Sequence, residues 1–171
     1  RGLGDVYKRQ TERYYEEEGR AELTPRDFGI LMHRVFENAA TTDEIYMAIE
    51  AMTQDGVLDE KEAPRLRELV EKALADPVTA EWFGGRWQVV RNENEIILPG
   101  SGTTRRPDRV MTDGERAVVV DYKFGDRETA RHRKQIREYL RLLRQMGYTR
   151  TEGYLWYVRL GRTERVEEKE D

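Results

Sequence analysis

The chain has 171 residues, 37% of them charged and 37% hydrophobic, with a formal net charge of −4. That suffices for one domain with a proper core, and the balance is polar but globular. With no cysteine it builds no disulfide framework, zinc knuckle or iron–sulfur cluster, and no apolar run approaches a membrane span.

No signal-peptide pattern opens the chain, so the cytoplasm is the expected location. Residues 1–20 read as an appended segment or linker, since Arg1 to Gln10 fit nothing downstream and Tyr14 to Arg20 is acidic. Residues 21–171 are the expected domain. Thr24-Pro25-Arg26-Asp27 is a helix start, with a hydroxyl cap, proline in the first turn and an acid behind it. The helix continues through Phe28, Leu31, Met32, Val35 and Phe36, a stripe at helical spacing. His33 falls at the flank of that stripe, a turn after Gly29, whose missing side chain would let the helix approach a sheet. A histidine so placed is either a satisfied boundary residue or a ligand.

Two more helices are expected, about Thr42 to Thr53 and about Asp59 to Leu74, with Asp55-Gly56 turning between them. Pro77 to Phe83 reads as a short helical turn ended by Gly84-Gly85. These segments carry no chemical signal and read as packing. Trp87 to Leu98 reads as a hairpin or a long bent strand, in which alternation puts Glu93, Glu95 and Ile97 on one face. Arg105 to Met111 is the next expected strand, Asp113-Gly114 a tight turn, and Ala117 to Phe124 a central strand. A long helix is expected over about Glu128 to Met146, with His132, Gln135, Ile136, Tyr139, Leu140, Leu143 and Met146 along one face and Gly147 as its stop. Arg133, Arg137, Arg141 and Arg144 lie opposite. An aromatic strand from about Gly153 to Leu160 and a final short strand after Gly161-Arg162 complete the chain.

Charge is unevenly spread. Ser101 to Arg165 holds 16 Lys and Arg against 9 Asp and Glu, whereas residues 1–100 hold 13 against 21. A basic half suits a polyanionic partner, although a solvated helix face accounts for part of it.

The chemistry concentrates at Asp121-Tyr122-Lys123, which ends the apolar run Ala117-Val118-Val119-Val120. On a strand Asp121 and Lys123 project together while Tyr122 points away. Pro107-Asp108 stands ahead of it by 12 intervening residues. Two carboxylates and an ammonium so placed are equipment for metal-assisted phosphodiester cleavage; the alternative is a strand-end ion pair and a turn aspartate.

Pro-Asp followed by Asp-Tyr-Lys after a Val-rich strand resembles the PD-(D/E)XK nuclease superfamily, and within it the RecB-type nuclease domains of bacterial helicase-nucleases. Gly29-Ile30-Leu31-Met32-His33, Asn92-Glu93 and Gln135-x-x-x-Tyr139 carry the narrower likeness, which runs from about Phe28 to Val158. The resemblance implies an α/β, restriction-endonuclease-like αβββαβ core with a mixed central sheet and, here, an extra helical insertion. It implies a catalytic set of Asp108, Asp121, Lys123 and Glu93. A divalent ion, Mg²⁺ or Mn²⁺, would be held by His33, Asp108, Asp121 and the Tyr122 carbonyl; an imidazole ligand suits Mn²⁺. Glu93 would stand near the site, either by that ion or positioning a water; the alternative is that Glu93 and Glu95 both face solvent. Gln135 and Tyr139 resemble the pair that braces the site and meets substrate phosphate, with Tyr139 as plain core the alternative. Arg106 and His132 are candidate phosphate contacts.

Some RecB-type relatives carry an iron–sulfur cluster, which a cysteine-free chain has no ligands for. The implied activity is exonucleolytic processing of single-stranded or frayed DNA ends in recombination and repair. No ATP-binding motif occurs, so a helicase domain or subunit is the expected partner and the chain the C-terminal part of a longer helicase-nuclease. No membrane association is expected. The other readings are a silent nuclease-fold module for DNA binding or assembly, and a free-standing defence or mobile-element nuclease.

Overall fold

A computed structural model of the chain describes residues 25–92, 96–97, 104–125 and 130–169. Among these residues four helices come first: α1 (Pro25–Glu37), α2 (Thr42–Gln54), α3 (Glu62–Ala73) and α4 (Pro77–Trp82). Five strands follow, β1 (Val89–Asn92), β2 (Ile96–Ile97), β3 (Thr104–Arg105), β4 (Arg109–Asp113) and β5 (Arg116–Lys123). The long helix α5 (Ala130–Gln145) then leads to β6 (Arg150–Tyr157) and β7 (Arg162–Val166).

Local chemistry sets the helix starts. Thr41 accepts from the Glu44 backbone N–H at 3.3 Å while the Glu44 carboxylate accepts from that of Ala40 at 3.2 Å, a reciprocal cap on α2. Asp59 accepts from the N–H groups of Lys61 and Glu62 at 2.8 and 2.6 Å. It thus stands ahead of α3 as a cap, and the helix begins at Glu62 rather than at Asp59 as expected. Asp76 caps α4 by accepting from Val78 N–H at 2.9 Å, with Pro77 at the first helical position.

The main sheet has five strands in the order β1-β4-β5-β6-β7. Its β5–β6 pair is parallel and the others antiparallel, so α5 is the crossover that a parallel pair requires. β5 is buried on both faces. Val118, Val120 and Tyr122 enter a core shared with α1 to α4, and Ala117 and Val119 enter a second core with Ile136, Tyr139, Leu140 and Leu143 of α5. A strand covered on both sides reads as a continuous apolar run, and Ala117 to Val120 is one. The expected αβββαβ core is present as α1, β1, β4, β5, α5 and β6, with α2 to α4 as the helical insertion.

Close approach of α5 to the sheet depends on Gly153. A Cβ there would stand 2.4 Å from Ile136 Cγ2 and 3.2 Å from both Leu140 methyls.

Several boundaries differ from expectation. Within Trp87 to Leu98, expected as a hairpin or a long bent strand, the described residues form neither: β1 pairs with β4, whereas Ile96–Ile97 pairs with Thr104–Arg105 in a separate ladder. β4 accordingly starts at Arg109, leaving Asp108 just before it. Met146 is exposed, because α5 ends at Gln145 and Gly147 turns the chain away at φ +105°. On the face of α5 opposite its apolar stripe, Arg144 is exposed as expected and pairs with Glu168, while Arg133 is half-buried against the Glu164 carboxylate. Among the described residues no helix is long and apolar enough to cross a membrane.

Candidate active site

The apolar run that makes β5 central also carries Asp121 into the interior, where it is 4% exposed. A buried carboxylate must be hydrogen-bonded, paired or offered a cation. Asp121 accepts from the backbone N–H of Asp108 at 3.1 Å. In return the Asp108 carboxylate accepts from the backbone N–H of Tyr122 at 2.7 Å. The acid before β4 and the acid at the end of β5 thereby lock each other's strands.

Burial raises the Asp121 pKa, opposed by the nearby Lys123 ammonium and the Asp108 N–H. Lys123 follows Asp121 on the same face and is half-buried. Tyr122 points the other way into the core, where burial pushes its phenol well above the ordinary range.

The third side chain comes from α1. His33 Nδ1 lies 3.6 Å from Asp108 Oδ1, with its ring 5.7 Å from that of Tyr122 and 5.0 Å from that of Phe124. Burial, and then the charge of Lys123, lower its pKa to about 4, so the imidazole is neutral at pH 7. Neutral imidazole is the metal-ligating form. Gly29 brings the helix this close: a Cβ there would meet Phe124 Cβ and Cδ2 at 3.3 Å. The sequence reading of that glycine as a point of close approach thus has its physical counterpart.

Among the described residues no three His, Cys, Asp or Glu side chains cluster closely enough to hold a metal ion as they lie. The contacts are pairwise, His33 to Asp108 and Asp108 to Asp121 through backbone amides. In kind, the donors fit a hard divalent cation: two carboxylates, one of them buried with its charge incompletely offset, and a neutral imidazole.

The remaining candidates fall as follows. His132 is half-buried, its Nδ1 is enclosed without a hydrogen-bond partner, and its pKa is lowered by burial and by Lys123, Arg131 and Arg133. Its response to Lys123 puts it within the field of the same ammonium that acts on His33 and Asp121. Gln135 Nε2 donates to the Tyr139 hydroxyl at 2.9 Å, and Tyr139 itself is wholly buried in the α5 core. Arg106 is exposed beside buried Pro107. Glu93 lies outside the described residues.

One residue that sequence reasoning passed over is Arg109. It is 0% exposed, yet donates to the carbonyls of Ala39, Ala40 and Trp82 at 2.5, 2.9 and 2.7 Å and to Asn92 Oδ1 at 3.2 Å. Its guanidinium lies 4.0 Å over the Phe83 ring. The available signal was strand alternation, which puts Arg109 on the same face of β4 as buried Met111.

The family model of the PD-(D/E)XK nuclease superfamily matches residues 7–171. No curated protein matches the chain.

Proposed function

The chain belongs to the PD-(D/E)XK nuclease superfamily, and we propose that it is a divalent-metal-dependent deoxyribonuclease. The observation that carries this reading is the interlocked Asp108–Asp121 pair with Lys123 beside it and neutral His33 facing Asp108. Asp108, Asp121, His33 and the Tyr122 carbonyl are the donors proposed to hold Mg²⁺ or Mn²⁺. When bound, such an ion supplies Lewis acidity and a more acidic water.

The chain's own residues do the rest. Lys123 places a positive charge where the attacking oxygen and the scissile phosphate meet, steadying charge that develops in the transition state. Glu93 is assigned to positioning the attacking water. Gln135 and Tyr139 brace the site from α5, and Arg106 and His132 are assigned to flanking phosphates. No serine or tyrosine nucleophile is needed, because water attacks phosphorus directly and the 3′ or 5′ oxygen leaves.

The finer reading is RecB-type: exonucleolytic trimming of single-stranded or frayed DNA ends in the cytoplasm, in recombination and repair, fed by a helicase. The intact acids and lysine favour turnover over a silent module. The test is an end-labelled assay of the purified chain on matched single-stranded and blunt duplex DNA, with Mg²⁺, with Mn²⁺ and with EDTA. Metal-dependent cleavage that prefers the single strand is the expected result. Cleavage undiminished by EDTA sinks the metal dependence, and none with either ion sinks the nuclease reading; equal digestion of blunt duplex sinks its dependence on a motor.

A further inference from the structure

We infer that Arg109 is a positioning residue, holding the helix that carries His33 at its working distance from Asp108. The inference rests on the reading of His33 and Asp108 as parts of the metal-binding site.

Arg109 follows Asp108 directly and faces the α1–α4 core from β4 with no exposure. A guanidinium is a costly filling for such a place, and an apolar side chain of similar volume packs there at lower cost. What arginine adds is a planar fork with donors in fixed directions. Here the fork closes on segments far apart in sequence: Ala39 and Ala40 just after α1, Trp82 at the end of α4, and Asn92 at the end of β1. Asn92 donates in turn to the Ala39 carbonyl at 3.4 Å, so β1 joins the same network.

The consequence falls on α1. Near one end Gly29 packs against Phe124, which directly follows β5. Beyond its other end Ala39 and Ala40 are bonded to β4 through Arg109. His33 lies between these two anchors and reaches Asp108 at 3.6 Å. Releasing the second anchor lets α1 pivot on the first and changes the His33–Asp108 separation while the β-strand acids stay locked to each other.

The experiment compares wild type, Arg109→Met, Arg109→Lys and, as a destabilised control on α3, Val70→Ala. Mn²⁺ affinity is read from loss of the free-ion electron paramagnetic resonance signal, kcat and KM from single-stranded DNA cleavage, and stability from thermal unfolding. Arg109→Met is expected to lose about 10- to 100-fold in Mn²⁺ affinity or kcat, with KM for DNA little changed. Val70→Ala is expected to lose stability yet bind Mn²⁺ and turn over as wild type does. Should Arg109→Met not fold, Arg109→Lys, which keeps the charge without the planar fork, carries the same comparison. An Arg109 variant that binds Mn²⁺ and turns over like Val70→Ala reduces Arg109 to a packing residue and overturns the inference. A wild-type chain that neither binds Mn²⁺ nor cleaves removes the underlying reading instead.

Discussion

Asp108 and Asp121 each fasten the other's strand: the Asp121 carboxylate accepts from the Asp108 N–H, and the Asp108 carboxylate accepts from the N–H that follows Asp121. The two acids of the candidate site are therefore also structural acceptors. Charge and hydrogen-bond capacity can be separated by substitution.

Asp108→Ala leaves the Tyr122 N–H without its acceptor, at a cost of about 1–3 kcal/mol. Asp108→Asn keeps a carbonyl oxygen for that N–H and removes the charge. The expected outcome is that Asn restores the thermal midpoint lost in Ala while both variants lack DNA cleavage. Circular dichroism melts beside a single-stranded DNA assay check this, and cleavage by Asp108→Asn at the parental rate would contradict the ligand assignment.

Lys123→Ala is expected to lower the cleavage rate by about two to three orders of magnitude, as removal of one transition-state charge stabiliser does elsewhere. The fold should persist, because β5 is held by Val118, Val119 and Val120 on its two faces. Single-turnover kinetics at saturating Mn²⁺ test the rate. A parental rate there means the ammonium serves only Asp121.

Crystals grown with Mn²⁺ should show one anomalous peak among His33, Asp108 and Asp121, with rotation of the two carboxylates relative to their amide-facing positions. A peak elsewhere, or none at millimolar Mn²⁺, would move the metal site.

Gly29→Ala sets two effects against each other. Alanine in place of glycine favours a helix by about 1 kcal/mol. The new Cβ stands 3.3 Å from Phe124, tighter than ordinary packing, and pushes α1 from the end of β5. We expect stability to change by less than about 1 kcal/mol while Mn²⁺ affinity falls, since α1 carries His33. Urea unfolding and Mn²⁺ titration of one preparation separate the two; unchanged affinity would show that α1 need not approach so closely.

Gly153→Ala gains up to about 1 kcal/mol of backbone entropy, less than its steric cost. Its Cβ would overlap Ile136 Cγ2 at 2.4 Å, so α5 or Ile136 must shift. Overpacking of this kind costs about 1–3 kcal/mol. A lowered urea midpoint with an unchanged slope is the expected signature, and parental stability would mean that α5 moves freely on the sheet.

Much of this molecule is legible in the local pattern of its chain. The apolar run into Asp121-Tyr122-Lys123, the α1 stripe with Gly29 and His33, the turn at Asp113-Gly114 and the buried face of α5 all follow from periodicity and turn chemistry, which neighbours in sequence decide. The order of these elements also carried the family resemblance. Local patterning did not reveal that Val89–Asn92 and Ile96–Ile97 belong to different ladders, because both are short and their partners, β4 and β3, lie further along the chain. Nor did it reveal that Arg133 and Arg144 bind acids of the C-terminal segment. Arg109 is the clearest case. In sequence it is one arginine among several near a proline, and its burial becomes tolerable only because carbonyls 70, 69 and 27 positions away converge on its fork. The types of chemical group at the site are a property of the chain's letters. The distance between His33 and Asp108 depends on the buried stripe of α1, on Gly29 against Phe124 and, just beyond the helix, on Ala39 bonded to Arg109, contacts that form only when the helix docks on the sheet.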